Sequence, residues 1–238
     1  MKLPLTCMVC VEEIIISGTE QLPARKVAEF NDEGQYKVEC EKGHKSTFLL
    51  QEQKFELLFD IGAYAILDGY YREAISSFSS ALERFYEFSI RVLCRVRNVD
   101  WSNIIDAWND VSSQSERQLG AFIFIYLQEF GNKPIILGKK DIELRNKVIH
   151  KGKIPSREEA IKYGQSILNI IRPIMIKLKE DYSDAVGETI CQHLKEISKG
   201  DDSIKSTMTR ATILSLSNGD SKHDELTLEE ALQQLRHW

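Results

Sequence analysis

The sequence predicts a mainly α-helical protein in which a helical bundle follows a small β-rich module. From about residue 51 onward, apolar residues recur at spacings of three and four, the period of an amphipathic helix. Residues 1–50 instead hold short β-forming runs between turn residues, together with three of the five cysteines. We therefore assign the module to residues 1–50, the bundle to 51–199 and a strand and helix extension to 200–238.

The composition is that of an ordinary globular protein, with 42% hydrophobic and 28% charged residues. No apolar run approaches the roughly 18 residues that a membrane span needs. The N-terminus, MKLPLTCMVC, lacks the apolar stretch of a secretion signal. Because five cysteines without an export signal favour a reducing compartment over a disulfide framework, we expect a cytoplasmic protein with no membrane partner.

The module contains four runs that favour β-strands, namely Glu13–Ile16, Arg25–Phe30, Gln35–Cys40 and Ser46–Leu50. The polar segment 31–34 between the second and third runs has the composition of a hairpin loop. Strands this few and short cannot enclose a sufficient apolar core. The module therefore needs another source of stability.

The bundle is expected to centre on its second helix, because that helix has a wide aromatic stripe. The stripe consists of Tyr71, Ala74, Ile75, Phe78, Ala81, Leu82, Phe85, Ser89, Val92 and Leu93. A helix with Phe55, Leu58, Phe59, Gly62, Ala65 and Ile66 on one face precedes it and ends at Asp68-Gly69. The segments that follow are Trp101–Trp108 and a helix over Ser112–Phe130.

A fourth bundle helix covers Lys140–Lys151 and is closed by Gly152. Ser156 and Glu159 then form a capping box that starts a long helix, which Pro173 can kink. Its core positions are Ala160, Gly164, Ile167, Ile171, Ile174, Met175 and Leu178. The last predicted elements are a helix within 184–199, an edge strand within Ser206–Ser217 and a helix Leu228–Trp238, which packs on the bundle or binds a partner.

Four potential metal ligands occur as two pairs in the module. Cys7 and Cys10 form a CxxC pair, and Cys40 and His44 follow thirty residues later, with Gly43 able to take a tight turn. This pattern predicts a structural Cys3His zinc site. The alternatives are a redox CxxC, which usually lies in an α/β unit, or four unrelated residues. Cys94 and Cys191 are expected in the core.

A basic stretch stands out in a chain whose formal net charge is -5. Residues 133–153 have seven basic and two acidic side chains, a net charge of +5; the basic ones are Lys133, Lys139, Lys140, Arg145, Lys147, Lys151 and Lys153. Such a stretch is either a solvated helix face or a phosphate-binding patch. If the stretch binds phosphate, we assign that binding to Lys140, Lys147, Lys151 and Lys153, which would be the RNA-binding residues if the phosphate belongs to RNA.

Arg145, Asn146 and His150 carry the chemistry of this stretch. An arginine binds phosphate with a planar pair of donors, and a histidine exchanges protons near neutral pH, while an asparagine can hold either in place. Together they suffice for attack of a ribose 2′-hydroxyl on the adjacent phosphorus without a metal. The alternative is an exposed arginine and a histidine favoured by the negative end of the helix dipole.

Helix geometry limits what one copy of the motif can do. Five residues turn an α-helix by about 500°, which leaves the side chains of Arg145 and His150 about 140° apart. They converge only if His150 lies at a frayed helix end or if a second copy of the chain contributes.

The segment Leu144–Gly152, followed by the capped helix at Ser156, closely resembles the signature of the HEPN superfamily, an Arg-x4-6-His motif at the end of a bundle helix. The helix pair before it, with residues 68–74 and 81–85, also looks like the first two helices of that family, so the resemblance covers roughly residues 51–182. The β-rich module and residues 183–238 have no counterpart in it.

The resemblance implies a bundle that dimerises so that two Arg…His motifs face each other, with metal-independent endoribonuclease activity, often in toxin or phage-defence systems. It also suggests that Glu83, in the central helix, orients Arg145; otherwise Glu83 is an ordinary carboxylate. One toxin branch of the family has a tyrosine where this chain has Gly152, so silencing through that tyrosine is not expected here.

Three functions follow from these observations. The first is a homodimeric endoribonuclease with Arg145, Asn146, His150 and Glu83 as its catalytic residues, in which the zinc-ribbon-like module positions RNA or binds a regulatory partner. The second is a non-catalytic protein that binds a nucleotide or RNA. The third is a structural adaptor in which the motif is accidental.

Overall fold

The computed structural model describes residues 2–18, 23, 25–198, 205–217 and 225–235. Within these ranges the chain forms nine helices and five strands, which confirms the mainly α-helical fold. It divides into two compact units. The cysteine unit comprises Met1–Gln51 and Ile190–Arg210, and the helical unit comprises Glu52–Thr189 and Ala211–Trp238.

These units differ from the predicted domains at the C-terminal end. Residues 190–199, expected in the bundle, group with the cysteine unit, and residues from 211 onward group with the helical unit instead of forming a separate extension. Residues 218–224 of the predicted extension lie outside the described residues. No helix within the described ranges is long and apolar enough to cross a membrane.

The elements of the cysteine unit are β1 Lys2–Thr6, α1 Met8–Ser17, β2 Arg25–Glu29, β3 Gln35–Glu39, β4 Lys45–Leu50 and β5 Lys205–Met208. The predicted strand at Glu13–Ile16 is wrong, because those residues lie in α1. Cys10 is the buried residue of this helix, whereas Ile15 and Ile16 are exposed. The β-propensity of the isoleucines therefore does not decide the conformation of this segment.

The strands form two small sheets. β1 pairs antiparallel with β2, while β4 lies between an antiparallel β3 and a parallel β5. The predicted hairpin across Asn31–Gly34 is therefore wrong, because β2 and β3 belong to different sheets. Asn31 instead closes a turn, where its side chain accepts from the N–H of Gly34 and donates to the carbonyl of Gln35.

The helical unit contains α2 Lys54–Leu67, α3 Tyr71–Val96, α4 Trp101–Val111, α5 Ser115–Phe130, α6 Lys139–Lys151, α7 Arg157–Asp181, the first part of α8 Ser183–Ile197, and α9 Leu228–Leu235. The predicted edge strand at 206–217 is confirmed only over its first residues, in β5. Pro173 lies inside α7, which continues to Asp181, and its capping box at Ser156 and Glu159 is present.

The core of the helical unit is built around α3, which contacts α2, α5, α6 and α7. The predicted stripe of α3 is buried from Ala74 to Leu93. Aromatic rings fill the space between α2 and α3, with centroids 5.2 Å apart for Phe55 and Phe85 and 4.9 Å for Phe59 and Phe78. This core holds α6 and α7 in place and so positions the Arg145 segment.

Two glycines let the helices approach closely. A Cβ on Gly62 would lie 2.7 Å from the ring of Phe78, and one on Gly164 would lie 2.6 Å from Leu228. We expect Gly62→Ala and Gly164→Ala each to lower the free energy of unfolding by about 1–3 kcal/mol, although alanine is the better helix former. Urea denaturation followed by tryptophan fluorescence would measure this, because Trp101 and Trp108 lie in the helical unit.

The matched control is Gly120→Ala in α5, where an added Cβ meets no atom within 4 Å. Only the higher helix propensity of alanine then acts, so the free energy of unfolding of this variant should rise by up to about 1 kcal/mol. If all three variants gained stability, the close approach of these helices would be wrong.

Candidate functional site

Arg145 projects from α6 toward α3 and contacts two of the residues predicted to act with it. Its Nη2 donates to Oε1 of Glu83 at 3.2 Å, and its Nη1 donates to Oδ1 of Asn146 at 3.3 Å. The side chains of Arg145 and Glu83 are 24% and 28% exposed, so the pair is partly shielded from solvent. The structure therefore brings Arg145, Asn146 and Glu83 of one chain together.

The local fold of α6 explains this placement. Val148 is completely buried and fixes the rotation of the helix against the core. Gly152 ends the helix with φ at 69°, and the N–H of Lys153 returns to the carbonyl of Lys147. Because α6 is anchored by Val148, Arg145 is held near α3 while the opposite face of the helix remains in solvent.

Burial raises the pKa of the Glu83 carboxyl, and the nearby guanidinium groups of Arg145 and Arg84 oppose that rise. The carboxyl is therefore easier to protonate than an exposed one, and Arg145 is the charge that does most to keep it ionised. A ligand that moved Arg145 away from Glu83 would therefore raise the pKa of Glu83 further.

His150 lies on a different part of α6. It is exposed, as are Lys140, Lys147 and Lys151. These lysines are seven and four residues apart, so they share one helix face. The predicted site is therefore split into an inner group around Arg145 and an outer group that contains His150. Lys153, assigned to RNA binding, forms an ion pair with Glu159.

Tyr163 and Ser79, which were not among the predicted site residues, lie beside Arg145. Ser79 donates to the carbonyl of Ile75 at 2.7 Å, so the hydroxyl of Tyr163, 2.8 Å away, donates to Ser79. Burial raises the pKa of Tyr163 to about 12. The helical spacing of Tyr163 from Ala160 and Ile167 was the signal that places it inside the bundle.

These residues line a cavity of about 190 Å³ in the helical unit. Its walls come from α3, α5, α6, α7 and the segment before α6. The lining residues are Ser79, Leu82, Glu83, Tyr86, Ser115, Glu116, Leu119, Ile136, Leu137, Ile142, Arg145 and Tyr163. Arg145 and Glu83 are thus part of the wall of a cavity that His150 does not line.

Cys7, Cys10, Cys40 and His44 form a cluster that could hold a metal ion, with one ligand atom from each within 4.8 Å of the others. The Sγ of Cys10 lies 3.7 Å from the Sγ of Cys40 and 3.4 Å from Nδ1 of His44. The Sγ of Cys7 lies 3.9 Å from the same Nδ1. The fourth residue of the predicted set, His44, therefore does point into the cluster.

Local structure explains how the four residues meet. Cys7 is the N-cap of α1, and Cys10 lies in its first turn. Cys40 and His44 flank the turn between β3 and β4, where Gly43 has φ at 81° and donates its N–H to the carbonyl of Cys40 at 2.9 Å. Only glycine takes that φ readily, so Gly43 allows the turn that brings Cys40 and His44 together.

The thiols of the cluster are electrostatically unequal. Burial and the neighbouring thiols of Cys40 and Cys7 raise the pKa of Cys10 to about 12. Burial would also raise the pKa of Cys40, but the backbone N–H groups of His44 and Lys42 and the thiol of Cys10 hold it below its ordinary value. A cation among these sulfurs would favour their thiolate forms.

The other two cysteines lie outside the cluster. All five cysteines are free. Cys94 is half-buried, and burial raises its pKa, but Cys191 is exposed. The expectation that Cys191 belongs to the core is therefore wrong, because its side of α8 faces solvent.

Comparisons of the chain with protein-family models, with curated proteins and with solved structures each returned no match.

Proposed function

We propose that the chain is a metal-independent endoribonuclease of the HEPN type, whose site is completed by a second copy of the chain. The observation that carries the proposal is the contact of Arg145 with Glu83 and Asn146, on a helix that presents His150 and a row of lysines to solvent. Groups suited to proton transfer and to phosphate binding thus occur together on one basic helix.

The reaction would be transesterification within the RNA. The 2′-oxygen attacks the neighbouring phosphorus, the bond from phosphorus to the 5′-oxygen breaks, and a 2′,3′-cyclic phosphate and a 5′-hydroxyl end result. The His150 of the second copy accepts the 2′-hydroxyl proton, and a solvent water gives a proton to the leaving 5′-oxygen. Arg145 stabilises the charge that develops on the phosphate oxygens, while Glu83 and Asn146 hold its guanidinium in position.

The split of the site across α6 is the reason to invoke two copies. Arg145 and His150 of one chain diverge by about 140° around the helix. A twofold axis near the exposed face of α6 would bring the histidines and lysines of two copies around one RNA strand. Lys140, Lys147 and Lys151 would then bind phosphates, and Lys153 would need to leave Glu159 to join them.

For the cysteine cluster we propose structural zinc. Zinc–sulfur bonds of about 2.3 Å in a tetrahedron place two sulfurs about 3.8 Å apart, and shorter zinc–nitrogen bonds bring a sulfur and a nitrogen slightly closer. The Cys10–Cys40 distance of 3.7 Å and the Cys10–His44 distance of 3.4 Å agree with this geometry. Four protein ligands leave no open position, so the ion supports folding and takes no part in catalysis.

The cysteine unit would position RNA or bind a regulatory partner, and the cytoplasm is the compartment that keeps such a thiol cluster reduced. A toxin or phage-defence role follows from the HEPN resemblance alone.

The first test is cleavage of a mixed-sequence RNA in EDTA. We expect products with 2′,3′-cyclic phosphate ends, and His150→Ala should lower the rate by about 10²–10⁴-fold, the usual contribution of a proton-transferring residue. Lys162→Ala removes an exposed cation from α7 and serves as the control. A wild-type chain that forms dimers but cleaves no RNA would overturn the proposal.

The composite site can be tested by complementation between inactive variants. In a heterodimer of Arg145→Ala and His150→Ala protomers, one of the two sites keeps both intact residues. Co-expression of the two variants should therefore restore about a quarter of the wild-type rate, because half of the dimers carry one good site. No recovery in a mixed dimer would contradict a site shared in this way.

A second candidate is a non-catalytic nucleotide- or RNA-binding protein. It is favoured by the ion pair of Arg145 with Glu83 beside a cavity that His150 does not line. In that case wild type and His150→Ala would bind a nucleotide equally well, and neither would cleave RNA.

A further inference from the structure

The cavity beside Arg145 has mostly apolar walls. Leu82, Leu119 and Leu137 line it, with Ile136, Ile142 and the rings of Tyr86 and Tyr163. A volume of about 190 Å³ suits one planar ring system rather than a whole nucleotide. The proton-transfer chemistry proposed above makes no use of this space.

The outer wall of the cavity consists of apolar side chains that are exposed to solvent. Ile136 and Ile142 are 44% and 40% exposed, although both line the cavity. A flat ring bound there would bury these surfaces, which is favourable in proportion to the area removed from water. Aromatic and apolar surfaces are also the usual platform for an unstacked RNA base.

The charges at the cavity indicate which ligand it accepts. Among the residues that line it, the two carboxylates of Glu83 and Glu116 outnumber the one cation, Arg145, so a free anion inside would be repelled. A neutral ring with N–H donors would instead find carboxylate acceptors. Contacts with Glu83 and Asn146 use two of the five donors of the Arg145 guanidinium, which leaves the others for a phosphate.

We propose that this cavity is a base-binding subsite that takes one RNA base, with a preference for guanine, while the adjoining phosphate lies on Arg145. Guanine is the RNA base that presents two neighbouring N–H donors on its pairing edge, and a carboxylate such as Glu116 accepts both. This inference rests on the proposed RNA substrate, and it specifies the nucleotide that the site selects.

The test is calorimetric titration of the full chain with the four nucleoside 3′-monophosphates. Guanosine 3′-monophosphate should bind at least about tenfold more tightly than the other three, in line with the discrimination that paired hydrogen bonds to a base provide. Glu116→Gln should remove most of this preference, because an amide offers one acceptor in place of two.

Neighbouring isoleucines provide a matched pair of variants. Ile136→Trp would fill the cavity and should weaken guanosine 3′-monophosphate binding by at least about tenfold. Ile135→Trp makes the same change at a 66% exposed residue that does not line the cavity, and it should bind like the wild type. Ile142→Trp fills the cavity from α6. With this second variant, the conclusion does not depend on the correct folding of Ile136→Trp alone.

The outcomes separate this inference from the proposed function. If RNA is cleaved but the four nucleotides bind equally, or if Ile136→Trp and Ile142→Trp bind like Ile135→Trp, the subsite is overturned and the ribonuclease stands. If guanosine 3′-monophosphate binds as described but no RNA is cleaved, the subsite stands and the catalytic function is overturned.

Discussion

Replacing Cys10 with serine is expected to abolish metal binding and to unfold the cysteine unit, while the helical unit remains folded. The buried apolar core of the cysteine unit is small and consists mainly of Leu3, Leu5, Tyr36, Phe48, Leu49 and Leu50. Units of this kind usually depend on a metal or disulfides. The apparent binding free energy of structural zinc is about 10–16 kcal/mol at neutral pH, which exceeds what such a core supplies.

Cys10 is the most informative ligand to remove because its sulfur is close to two other ligand atoms, those of Cys40 and His44. Its loss would leave two thiols and an imidazole, with a weak hydroxyl ligand in the fourth position. Elemental analysis should give one zinc per wild-type chain and almost none in Cys10→Ser. Hydrogen exchange should show lost protection in β3 and β4 but not in α3.

Cys191→Ser is the control, since it makes the same atomic change at an exposed cysteine of the same unit. It should keep the metal and the protection of β3 and β4. Wild-type protein that contains no zinc after growth in zinc-supplemented medium would overturn the metal site. A Cys10→Ser variant that keeps its zinc would overturn the ligand set.

The helices were predictable because their signals are local. Spacings of three and four along α3 and α7, and the capping box of Ser156 with Glu159, depend on residues within a few positions of one another. The pairing of Arg145 with Glu83 was also anticipated, but from a family resemblance and not from spacing. Helix geometry alone predicted that the side chains of His150 and Arg145 diverge around α6.

The strand pairing could not be predicted in the same way. β5 joins β4 from more than 150 residues further along the chain, and nothing local specifies that partner. The helix α1 carries three consecutive isoleucines, which favour a strand, yet they are helical, and the buried residue of this helix, Cys10, lies beside Cys40 from the β3–β4 turn.

The cavity was not predictable because it exists only where several packed elements meet. Ile136 and Ile142 are ordinary apolar residues in the sequence, and their shared wall follows from how α6 packs on α3. The burial of two carboxylates of α2, Glu56 and Asp60, was likewise not predictable from the sequence. Both are polar residues adjacent to an apolar stripe, and their partners lie far along the chain.

Glu56 should make the stability of the helical unit fall as the pH rises. The residue is 1% exposed, and its two carboxyl oxygens accept the N–H groups of Leu216 and Gln53, at 2.9 and 2.7 Å. Burial raises its pKa from 4.5 to about 8; those two hydrogen bonds oppose the rise, and the nearby Glu52 and Asp60 add to it. Asp60 accepts the N–H of Ile213 in the same way.

The direction of this pH dependence of stability follows from proton linkage. Between pH 4.5 and about 8 the folded chain keeps the proton of Glu56 and the unfolded chain has released it, so raising the pH favours unfolding. The stabilisation that protonated Glu56 gives the folded chain is complete below the pKa of this group in the unfolded chain. It is lost as the pH rises through the pKa of the group in the folded chain. Since one pKa unit is about 1.4 kcal/mol, the shift from 4.5 to about 8 corresponds to a total change on the order of 5 kcal/mol.

Glu56→Gln isolates this contribution, because the amide does not titrate. At pH 5 the variant should be less stable than the wild type by about 1–3 kcal/mol, since its NH₂ group opposes a backbone N–H that the carboxyl accepted. At pH 9 the wild type bears a buried charge and the difference should vanish or reverse. Urea denaturation followed by tryptophan fluorescence at pH 5–9 measures both values in the helical unit.

Glu143→Gln, which removes an exposed carboxylate from α6, controls for the change in net charge. A constant difference between the wild type and Glu56→Gln from pH 5 to 9 would mean that Glu56 is ionised in the folded chain. The anchoring of Leu216 by a neutral acid would then be wrong. The predicted reversal would instead show that high pH strains the attachment of residues 213–216 to α2, the contact that joins the C-terminal segment to the bundle.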